Sequence, residues 1–446
     1  MGKYFGTDGV RGVANEGLTA ELAYKIGRCG GYVLAGSKQK PTVLLGRDTR
    51  ISGQMLESAI VAGLLSIGAN VIRLGILSTP AVAYLTKKLN ADAGIMISAS
   101  HNPVEDNGIK FFGRDGFKLL DETELEIEKL LDMSVDQLPR PVGEHIGQVT
   151  DDWQAKDKYM DELKSIIQVN FHTYKVVLDC ANGAAYELAP RIFRELGAEV
   201  ITIAAQPNGL NINNQCGSTY PQRLQEEVLK HKANLGLAFD GDADRLIAVD
   251  ENGHEIDGDY ILGICGSAMH QAGKLKGNTI VTTVMANIGF FRGMEKLGLK
   301  AIQTSVGDRY VMEEMRKGGY NLGGEQSGHV IFLDYSTTGD GILTALYLLQ
   351  TLVVSGQPLS QLKRIIQKYP QVLVNIRVAN KNNFKGNKVI EEAIRLAEEE
   401  LGDQGRILVR PSGTESLIRV MAEGLDKEQV TGHVNHIAKT IQEQLQ

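Results

Sequence analysis

Three aspartates stand at alternate positions in one short segment, Phe239-Asp-Gly-Asp-Ala-Asp-Arg245. Apolar runs precede and follow the segment, so Asp240, Asp242 and Asp244 are expected on a turn between two strands. Carboxylates at i, i+2 and i+4 around one glycine can converge on a hard divalent cation through oxygen ligands. A three-carboxylate site with open coordination positions suits Mg²⁺, which keeps waters and accepts a phosphate oxygen.

Two other interpretations of this acidic loop stay open from the residues alone. The segment begins like an EF-hand calcium loop and has Glu251 at the twelfth position, but Arg245 replaces the glycine needed at the sixth position. Strand residues also stand where an EF-hand has a helix. The second alternative is a solvated acidic turn without a ligand.

A serine that could accept a phosphoryl group follows another apolar strand, residues 93–97, in the segment Ser98-Ala-Ser-His-Asn-Pro103. The turn residues around it place Ser100 on a tight, exposed loop. His101 and Lys110 supply a candidate base and a candidate cation. An ordinary Ser/Asn turn is the alternative interpretation, whereas a hydrolase nucleophile elbow is excluded because the G-x-S-x-G spacing is absent.

Two further loops have the chemistry to hold a phosphorylated sugar. In residues 322–329, Leu-Gly-Gly-Glu-Gln-Ser-Gly-His, the glycines permit close approach, and Glu325 and Ser327 could bond sugar hydroxyls. In residues 410–419, arginines flank hydroxyls and backbone amides, which is the donor set that a phosphate monoester requires. A structural turn and a structural hairpin are the respective alternatives.

Arginines also stand in two glycine-containing loops near the start of the chain. Arg11, Arg47 and Arg50 either contact phosphate or form ion pairs with Asp8 and Asp48. For Arg47 and Arg50 the ion pair is the favoured interpretation.

The elements that must position these loops follow a repeated plan of strand, loop, helix, glycine turn and second strand. The plan occupies residues 42–74, 175–203 and 279–304. A glycine stands in each repeat where a helix C-cap belongs, namely Gly68, Gly197 and Gly298. This alternation predicts parallel sheets covered by helices.

Near residue 369 the plan changes to strands and helices typical of a small α+β unit. We therefore expect an α/β protein with three similar mixed α/β domains, built from βαβ units, and a smaller C-terminal α+β domain. The expected domains are a serine-bearing domain at 1–150, a metal-binding domain at 151–252, a sugar-binding domain at 253–368 and a phosphate-binding domain at 369–446.

Composition narrows the class of protein. The 446 residues are 43% hydrophobic and 23% charged, which is typical of globular domains. The net charge is −7 and no long basic block is present, so neither nucleic acid nor an anionic membrane is an expected partner. Four scattered cysteines without zinc-site spacing, and a first segment without an apolar signal core, indicate reduced thiols in a cytoplasmic protein.

Taken together, the serine, acidic, Gly324-Glu-Gln-Ser-Gly-His329 and Arg410-Pro-Ser-Gly-Thr414 motifs closely resemble those of the α-D-phosphohexomutase superfamily, along the whole chain. The resemblance implies a heart-shaped molecule of four domains around a central cleft. Ala243, Gln326 and the opening segment 5–12 are similar to the members that act on glucosamine phosphates. Relatives that act on mannose or glucose phosphates more often have glycine in place of Ala243.

The resemblance implies an isomerase that interconverts glucosamine 6-phosphate and glucosamine 1-phosphate for UDP-N-acetylglucosamine and cell-wall synthesis. Ser100 would be a phosphoserine that donates to the substrate, with glucosamine 1,6-bisphosphate as the intermediate. One Mg²⁺ would be held by a phosphate oxygen on Ser100 and by Asp240, Asp242 and Asp244.

Motif matching carries further residues over from the superfamily. His101, Lys110 and Arg245 are candidates for proton transfer and charge stabilisation, and the sequence does not rank them. The residues implied to contact the substrate are Arg11, Gly307, Asp308, Glu325, Ser327, His329, Arg410, Ser412, Gly413, Thr414 and Arg419. A homodimer is consistent with the resemblance.

Three other functions fit the same motifs. A phosphomannomutase/phosphoglucomutase would differ only in its choice of sugar. A Mg²⁺-dependent phosphatase would release inorganic phosphate, and a non-catalytic sugar-phosphate binder would show no turnover.

Overall fold

The computed structural model describes residues 2–6, 8–36, 38–411 and 417–445. The chain forms two compact units, which we call the larger unit and the C-terminal unit. The larger unit comprises Met1–Val284 and Lys300–Arg364, and the C-terminal unit comprises Met285–Leu299 and Ile365–Gln446.

The first part of the larger unit contains a sheet of seven strands. Its elements are β1 (Phe5–Gly6), β2 (Gly9–Val13), α1 (Ala20–Ala35), β3 (Thr42–Arg47), α2 (Ser52–Leu65), β4 (Asn70–Ile76), α3 (Thr79–Lys88), β5 (Ala93–Ile97), β6 (Asp106–Gly113), α4 (Asp121–Leu131) and β7 (Val149–Asp151). The strand order is β1-β2-β6-β5-β3-β4-β7. Because β5 and β6 are antiparallel neighbours, the loop that contains Ser100 connects adjacent strands at one edge of the sheet.

The second sheet has five strands in the order β12-β11-β10-β8-β9. Its elements are α5 (Ala155–Ile166), β8 (Lys175–Asp179), α6 (Ala185–Glu195), β9 (Glu199–Ile203), α7 (Gln222–His231), β10 (Leu235–Phe239), β11 (Leu246–Asp250) and β12 (Glu255–Ile256). β10 and β11 are antiparallel and fully buried, and the three aspartates lie on the turn between them, as the sequence predicts.

A third sheet, also in the larger unit, has the strand order β14-β13-β15-β16. This part of the chain contains α8 (Gly258–Gln271), β13 (Thr279–Thr283), α9 (Ile288–Lys296), β14 (Lys300–Thr304), α10 (Asp308–Gly318), β15 (Leu322–Gly324), β16 (Val330–Phe332), α11 (Gly341–Ser355) and α12 (Leu359–Leu362). Of these elements, α9 belongs to the C-terminal unit. The loop with Glu325 and Ser327 connects the antiparallel strands β15 and β16.

The C-terminal unit contains an antiparallel sheet in the order β17-β19-β18. Its remaining elements are β17 (Gln371–Arg377), α13 (Lys388–Leu401), β18 (Gly405–Pro411), β19 (Leu417–Gly424) and α14 (Lys427–Gln444). Aliphatic side chains of the sheet and of both helices form its core. Short 3₁₀ helices lie at Gly143–His145, Lys276–Asn278, Lys363–Ile365, Lys381–Phe384 and Gly402–Gln404.

The predicted fold class is confirmed. The strand pairs β3/β4, β8/β9 and β13/β14 are parallel, and one helix follows the first strand of each pair in the chain. The three predicted C-cap glycines have φ values of 88°, 98° and 71°, a left-handed backbone that side chains disfavour.

The four cysteines are free and buried. Within the described ranges, no single helix is long and apolar enough to cross a bilayer. One pair, Gly341–Ser355 with Leu359–Ile365, meets the length and composition requirements together but is bent by 90°.

Helices α1 and α2 pack at backbone contact through glycine. A methyl group on Gly63 would lie 2.2 Å from the carbonyl oxygen of Tyr24 and 2.9 Å from the amide nitrogen of Arg28. We therefore expect Gly63→Ala to lower the free energy of unfolding by about 1–3 kcal/mol, because neither backbone atom can move without displacing a helix.

The matched substitution is Gly432→Ala in α14, where a methyl group would meet no atom within 4 Å. This change should raise stability by about 0.5–1 kcal/mol, since alanine loses less backbone entropy in a helix. Chemical denaturation of both variants checks the pair. Equal denaturation midpoints for Gly63→Ala and the wild type would show that the helix contact is looser than described.

Candidate active site

Ser100 lies at the beginning of the loop between β5 and β6, with only 1% of its surface exposed. Its Oγ donates a hydrogen bond to Oδ2 of Asp240 and lies 3.3 Å from Nδ1 of His101. The prediction of an exposed turn is therefore wrong. Loops from the second sheet cover the serine, and no local sequence signal reports packing between two sheets.

The three aspartates of the acidic loop converge. One carboxylate oxygen from each of Asp240, Asp242 and Asp244 lies within 4.8 Å of the others, and all three residues are buried. Strands flank the loop on both sides, which excludes the EF-hand interpretation. Burial excludes the solvated acidic turn.

The acidic loop contacts the loop that contains Ser100 so closely that position 241 requires glycine. A methyl group on Gly241 would lie 2.4 Å from the carbonyl oxygen of Ser100 and 3.0 Å from Nδ2 of Asn213. The backbones of the two loops therefore meet directly. This contact brings Asp240 against Ser100.

The donor set of the acidic loop fits a divalent cation. The Oδ1 atoms of Asp242 and Asp244 are buried and have no hydrogen-bond partner among the described residues. Burial, together with the charges of Asp244 and Asp242, raises the pKa of Asp240 well above its usual range. A bound cation would offset the negative charge of the three carboxylates and coordinate the two Oδ1 atoms.

Lys110 provides the positive charge nearest the acidic loop. Its ammonium is buried and lies 2.8 Å from Asp242, 3.4 Å from Asp244 and 3.2 Å from Asp8. Burial alone would lower the pKa of Lys110, but these carboxylates hold it above its usual range. The lysine is therefore fixed as a cation in three ion pairs.

His101 is in a different electrostatic environment. Burial, with the positive charges of Arg245 and Arg11, lowers the pKa of His101 to about 4. The imidazole beside Ser100 is therefore neutral near pH 7. Arg245 itself places Nε 3.9 Å from Asp244, and its backbone N–H donates to Asp240 at 3.1 Å.

The loops predicted to bind sugar come together in the larger unit. The backbone N–H of Gly307 donates to Oε1 of Glu325 at 3.2 Å, and burial raises the pKa of that carboxyl. His329 is buried, accepts a hydrogen bond from the N–H of Gly339, and lies 3.6 Å from Asp244. Ser327, by contrast, is exposed.

A chain of ion pairs connects these loops to the start of the molecule. Lys118 pairs with Asp8 and, at 2.5 Å, with Asp308, which lies 3.6 Å from Nε2 of His329. Asp8 also pairs with Arg11. Although burial opposes it, the surrounding cations hold the pKa of Asp8 well below its usual range.

Arg47 and Arg50, two of the three arginines in the loops near the start of the chain, also form ion pairs. Arg50 pairs with Asp48 at 3.0 Å, as expected. Arg47 instead pairs with Glu57 at 3.3 Å, because its side chain lies along α2 and only the carbonyl of Asp48 is within its reach.

The predicted phosphate loop belongs to the C-terminal unit. Arg410 and Arg419 are directly opposite each other on β18 and β19, and burial together with the Arg419 charge lowers the pKa of Arg410. Like charges in this position repel and favour a bound anion. The predicted contacts Ser412, Gly413 and Thr414 lie outside the described residues.

Three residues at this site escaped the sequence interpretation. Thr79 donates its hydroxyl to Asp242 at 2.5 Å, Asn213 donates to the carbonyl of Ser100 at 2.8 Å, and Lys118 joins Asp8 to Asp308. Asn213 stands in the asparagine-rich segment 211–214, whose turn chemistry was the only available signal. The sequence around Thr79 and Lys118 contains no signal of this kind.

The chain matches family models along nearly its whole length. They are the phosphoglucomutase/phosphomannomutase alpha/beta/alpha domains I, II and III, at residues 2–136, 157–253 and 257–369, and the C-terminal domain of the same family at 373–440.

Curated and solved proteins agree with these matches. The chain is 63% identical to the phosphoglucosamine mutase of Brevibacillus brevis, with all of both chains covered. A crystal structure of a phosphoglucomutase/phosphomannomutase family protein from Burkholderia thailandensis has a TM-score of 0.82 at 25% identity, covering 98% of this chain and 96% of that one.

The N-acetylphosphoglucosamine mutase of Aspergillus fumigatus, solved with GlcNAc-6P and magnesium, shares the fold at a TM-score of 0.68 and 17% identity, covering 99% of this chain and 96% of that one. The chain belongs to the phosphoglucosamine mutases, isomerases of the phosphoglucomutase/phosphomannomutase family.

Proposed function

We propose that this enzyme interconverts glucosamine 6-phosphate and glucosamine 1-phosphate through a phosphate carried by Ser100. The observation that carries the proposal is the hydrogen bond between Ser100 Oγ and Asp240 of the buried acidic loop. A hydroxyl that meets a metal-binding carboxylate cluster is suited to phosphoryl transfer, in which positioning and charge neutralisation supply most of the catalysis.

Asp240, Asp242 and Asp244 would hold Mg²⁺ together with an oxygen of the Ser100 phosphate. The Oδ1 atoms of Asp242 and Asp244, which are buried and have no hydrogen-bond partner among the described residues, support this assignment. When bound, the ion neutralises negative charge on the phosphoryl oxygens. Magnesium in the solved Aspergillus fumigatus enzyme, which has the same fold, is consistent with this choice of metal.

In the first transfer, a hydroxyl oxygen of the sugar phosphate bonds to phosphorus as the bond between phosphorus and Ser100 Oγ breaks. One proton moves from the sugar hydroxyl to Ser100 Oγ, which balances the transfer. The product is glucosamine 1,6-bisphosphate. After the intermediate reorients within the site, the reverse step returns its other phosphate to Ser100.

We assign a different role to each of the three candidate groups. His101, with Nδ1 at 3.3 Å from Ser100 Oγ, is placed to hold or deliver a proton at that oxygen. Lys110 is committed to carboxylates and provides charge compensation. Arg245, beside Asp244, is a second cation for the moving phosphoryl group.

Glu325, Ser327, Gly307, Asp308 and His329 are proposed to bind the sugar. The hydrogen bond between Gly307 and Glu325 supports a shared sugar subsite. Arg11 is proposed to contact phosphate from its ion pair with Asp8.

The phosphate that is not reacting is assigned to the C-terminal unit. The opposed arginines Arg410 and Arg419 support this assignment, with Ser412, Gly413 and Thr414 completing it by motif match. The four domain boundaries given above and the homodimer stay predictions.

Ser100→Ala removes the only oxygen that can carry phosphate in this mechanism. We expect mutase activity to fall by at least about 10³-fold, in line with the loss of a nucleophile whose partners remain. Intact-protein and peptide mass spectrometry should find one phosphate on Ser100 in the wild type and none in the variant. An unphosphorylated wild type together with an active variant would overturn the mechanism.

Removal of divalent metal by a chelator should abolish turnover, and Mg²⁺ should restore it. Asp242→Asn should weaken Mg²⁺ binding, measured by calorimetry, by at least about tenfold because one charged ligand is lost. The control is Asp179→Asn, a buried carboxyl in the same sheet that accepts hydrogen bonds from Ala181 and Gly217. Equal Mg²⁺ affinity in the two variants would contradict the assigned ligands.

Sugar choice can be measured directly. Initial rates should be higher with glucosamine phosphate than with mannose or glucose phosphates, since the motifs with Ala243 and Gln326 resemble those of the members that act on glucosamine phosphates. Faster turnover of either other sugar would favour a phosphomannomutase/phosphoglucomutase. Release of inorganic phosphate in proportion to enzyme turnover would indicate a phosphatase.

A further inference from the structure

Arg50 is a fully buried arginine whose side chain reaches three carbonyl groups of the Ser100 loop. Its guanidinium donates to the carbonyl oxygens of Ser100 at 3.0 Å and Asn102 at 2.8 Å, and also to that of Pro103. Five fixed donors in one plane make arginine suited to holding several acceptors at once. The arginine therefore contacts the backbone of the loop at three residues.

The same arginine also acts on the N–H side of the serine. Its Nε pairs with Oδ2 of Asp48 at 3.0 Å, and that oxygen accepts a hydrogen bond from Oγ of Ser98 at 2.7 Å. The N–H of Ser100 in turn donates to Oγ of Ser98 at 2.9 Å. Both peptide groups that flank Cα of Ser100 are thus connected to one guanidinium.

A second anchor comes from the second sheet. Nδ2 of Asn213 donates to the carbonyl oxygens of Ser100 at 2.8 Å and Asn102 at 3.0 Å. The N–H of Asn213 itself donates to the carbonyl of Ala181 at 2.9 Å, which ties the asparagine to the end of β8. The carbonyl of Ser100 therefore accepts two hydrogen bonds, one from Arg50 and one from Asn213.

The backbone of Ser100 needs such support. Its φ of 52° lies in the left-handed region, which a residue with a side chain adopts only when its surroundings hold it there. The neighbouring acidic loop touches the same carbonyl through Gly241. Without the anchors, the serine would return to an ordinary conformation and turn its Oγ away from Asp240.

We propose that Arg50 and Asn213 are positioning residues that hold the Ser100 backbone, so that Oγ faces Asp240 in both the phosphorylated and the free enzyme. This inference rests on the proposed phosphoserine mechanism. The side-chain donors of Arg50 and Asn213 bond to carbonyl oxygens and to Asp48 rather than to Oγ, so gain or loss of phosphate leaves these hydrogen bonds intact. The charge of Arg50 is matched by Asp48, which argues against a phosphate ligand.

The chain offers a matched control for Arg50. Arg28, 2% exposed in the same unit, also pairs with an aspartate, Asp136 at 2.7 Å, and donates to the carbonyl oxygens of Leu138 at 3.0 Å and Pro139 at 3.1 Å. It holds a segment outside the active site. Lysine in either position keeps the charge but cannot serve the same set of acceptors.

The test compares Arg50→Lys with Arg28→Lys. Both should lower the denaturation midpoint, but only Arg50→Lys should lower kcat, by about 10- to 100-fold with KM unchanged, since a displacement near 1 Å costs this much. Incubation with glucosamine 1,6-bisphosphate should phosphorylate Ser100 more slowly in Arg50→Lys than in Arg28→Lys. Mn²⁺ binding, measured with the metal alone, should be equal in both.

Asn213→Ala provides a second test that does not disturb the buried ion pair. It should lower kcat and the rate of Ser100 phosphorylation, whereas Asn214→Ala, at the exposed neighbouring residue, should lower neither. Both outcomes can be read in folded protein if Arg50→Lys fails to fold.

The outcomes separate the two proposals. If wild-type Ser100 never carries phosphate, the proposed function fails. If wild-type Ser100 is phosphorylated but Arg50→Lys or Asn213→Ala turns over at the wild-type rate, only the positioning inference is overturned. Equal losses of kcat in Arg50→Lys and Arg28→Lys would assign Arg50 a merely structural role and would likewise overturn it.

Discussion

A closed ring of alternating acidic and basic side chains joins the loops of the larger unit. In order, its members are Asp8, Lys118, Asp308, His329, Asp244 and Lys110, which returns to Asp8. Burying the charge of any aspartate or lysine of the ring alone would cost several kcal/mol, so each of these five residues requires its neighbours. Because the neighbours come from three different sheets, neutralising the charges also fixes the distances between the loops on which the chemistry depends.

The ring leaves the acidic loop incompletely neutralised. Lys110 compensates Asp242 and Asp244, yet the pKa of Asp240 stays raised by burial and by those two charges. A divalent cation would balance this excess of negative charge. The electrostatic arrangement that holds the loops together would therefore also favour a bound divalent cation.

Contact between backbones sets the second constraint. Gly241 allows the acidic loop to touch the carbonyl of Ser100, and Gly328, with φ of 92°, lies as closely against the carbonyl of Leu246. At both places a Cβ atom would be nearer than 2.5 Å to a carbonyl oxygen. The chain has 50 glycines in 446 residues. At these two positions glycine is required because a side chain would separate the loops.

The sequence by itself determined the repeated strand, helix and strand plan of three segments, the loops that carry reactive side chains, and the acidic turn between β10 and β11. These features depend on apolar periodicity and turn residues, which are local. Only the tertiary structure decided that Ser100 is buried, that Arg47 pairs with Glu57, and that Asn213 reaches Ser100 from 113 positions away. The burial of Ser100 and its contact with Asn213 arise where separate sheets pack together, whereas the Arg47–Glu57 pair arises where α2 packs beside the end of β3. Spacing within one segment encodes none of them.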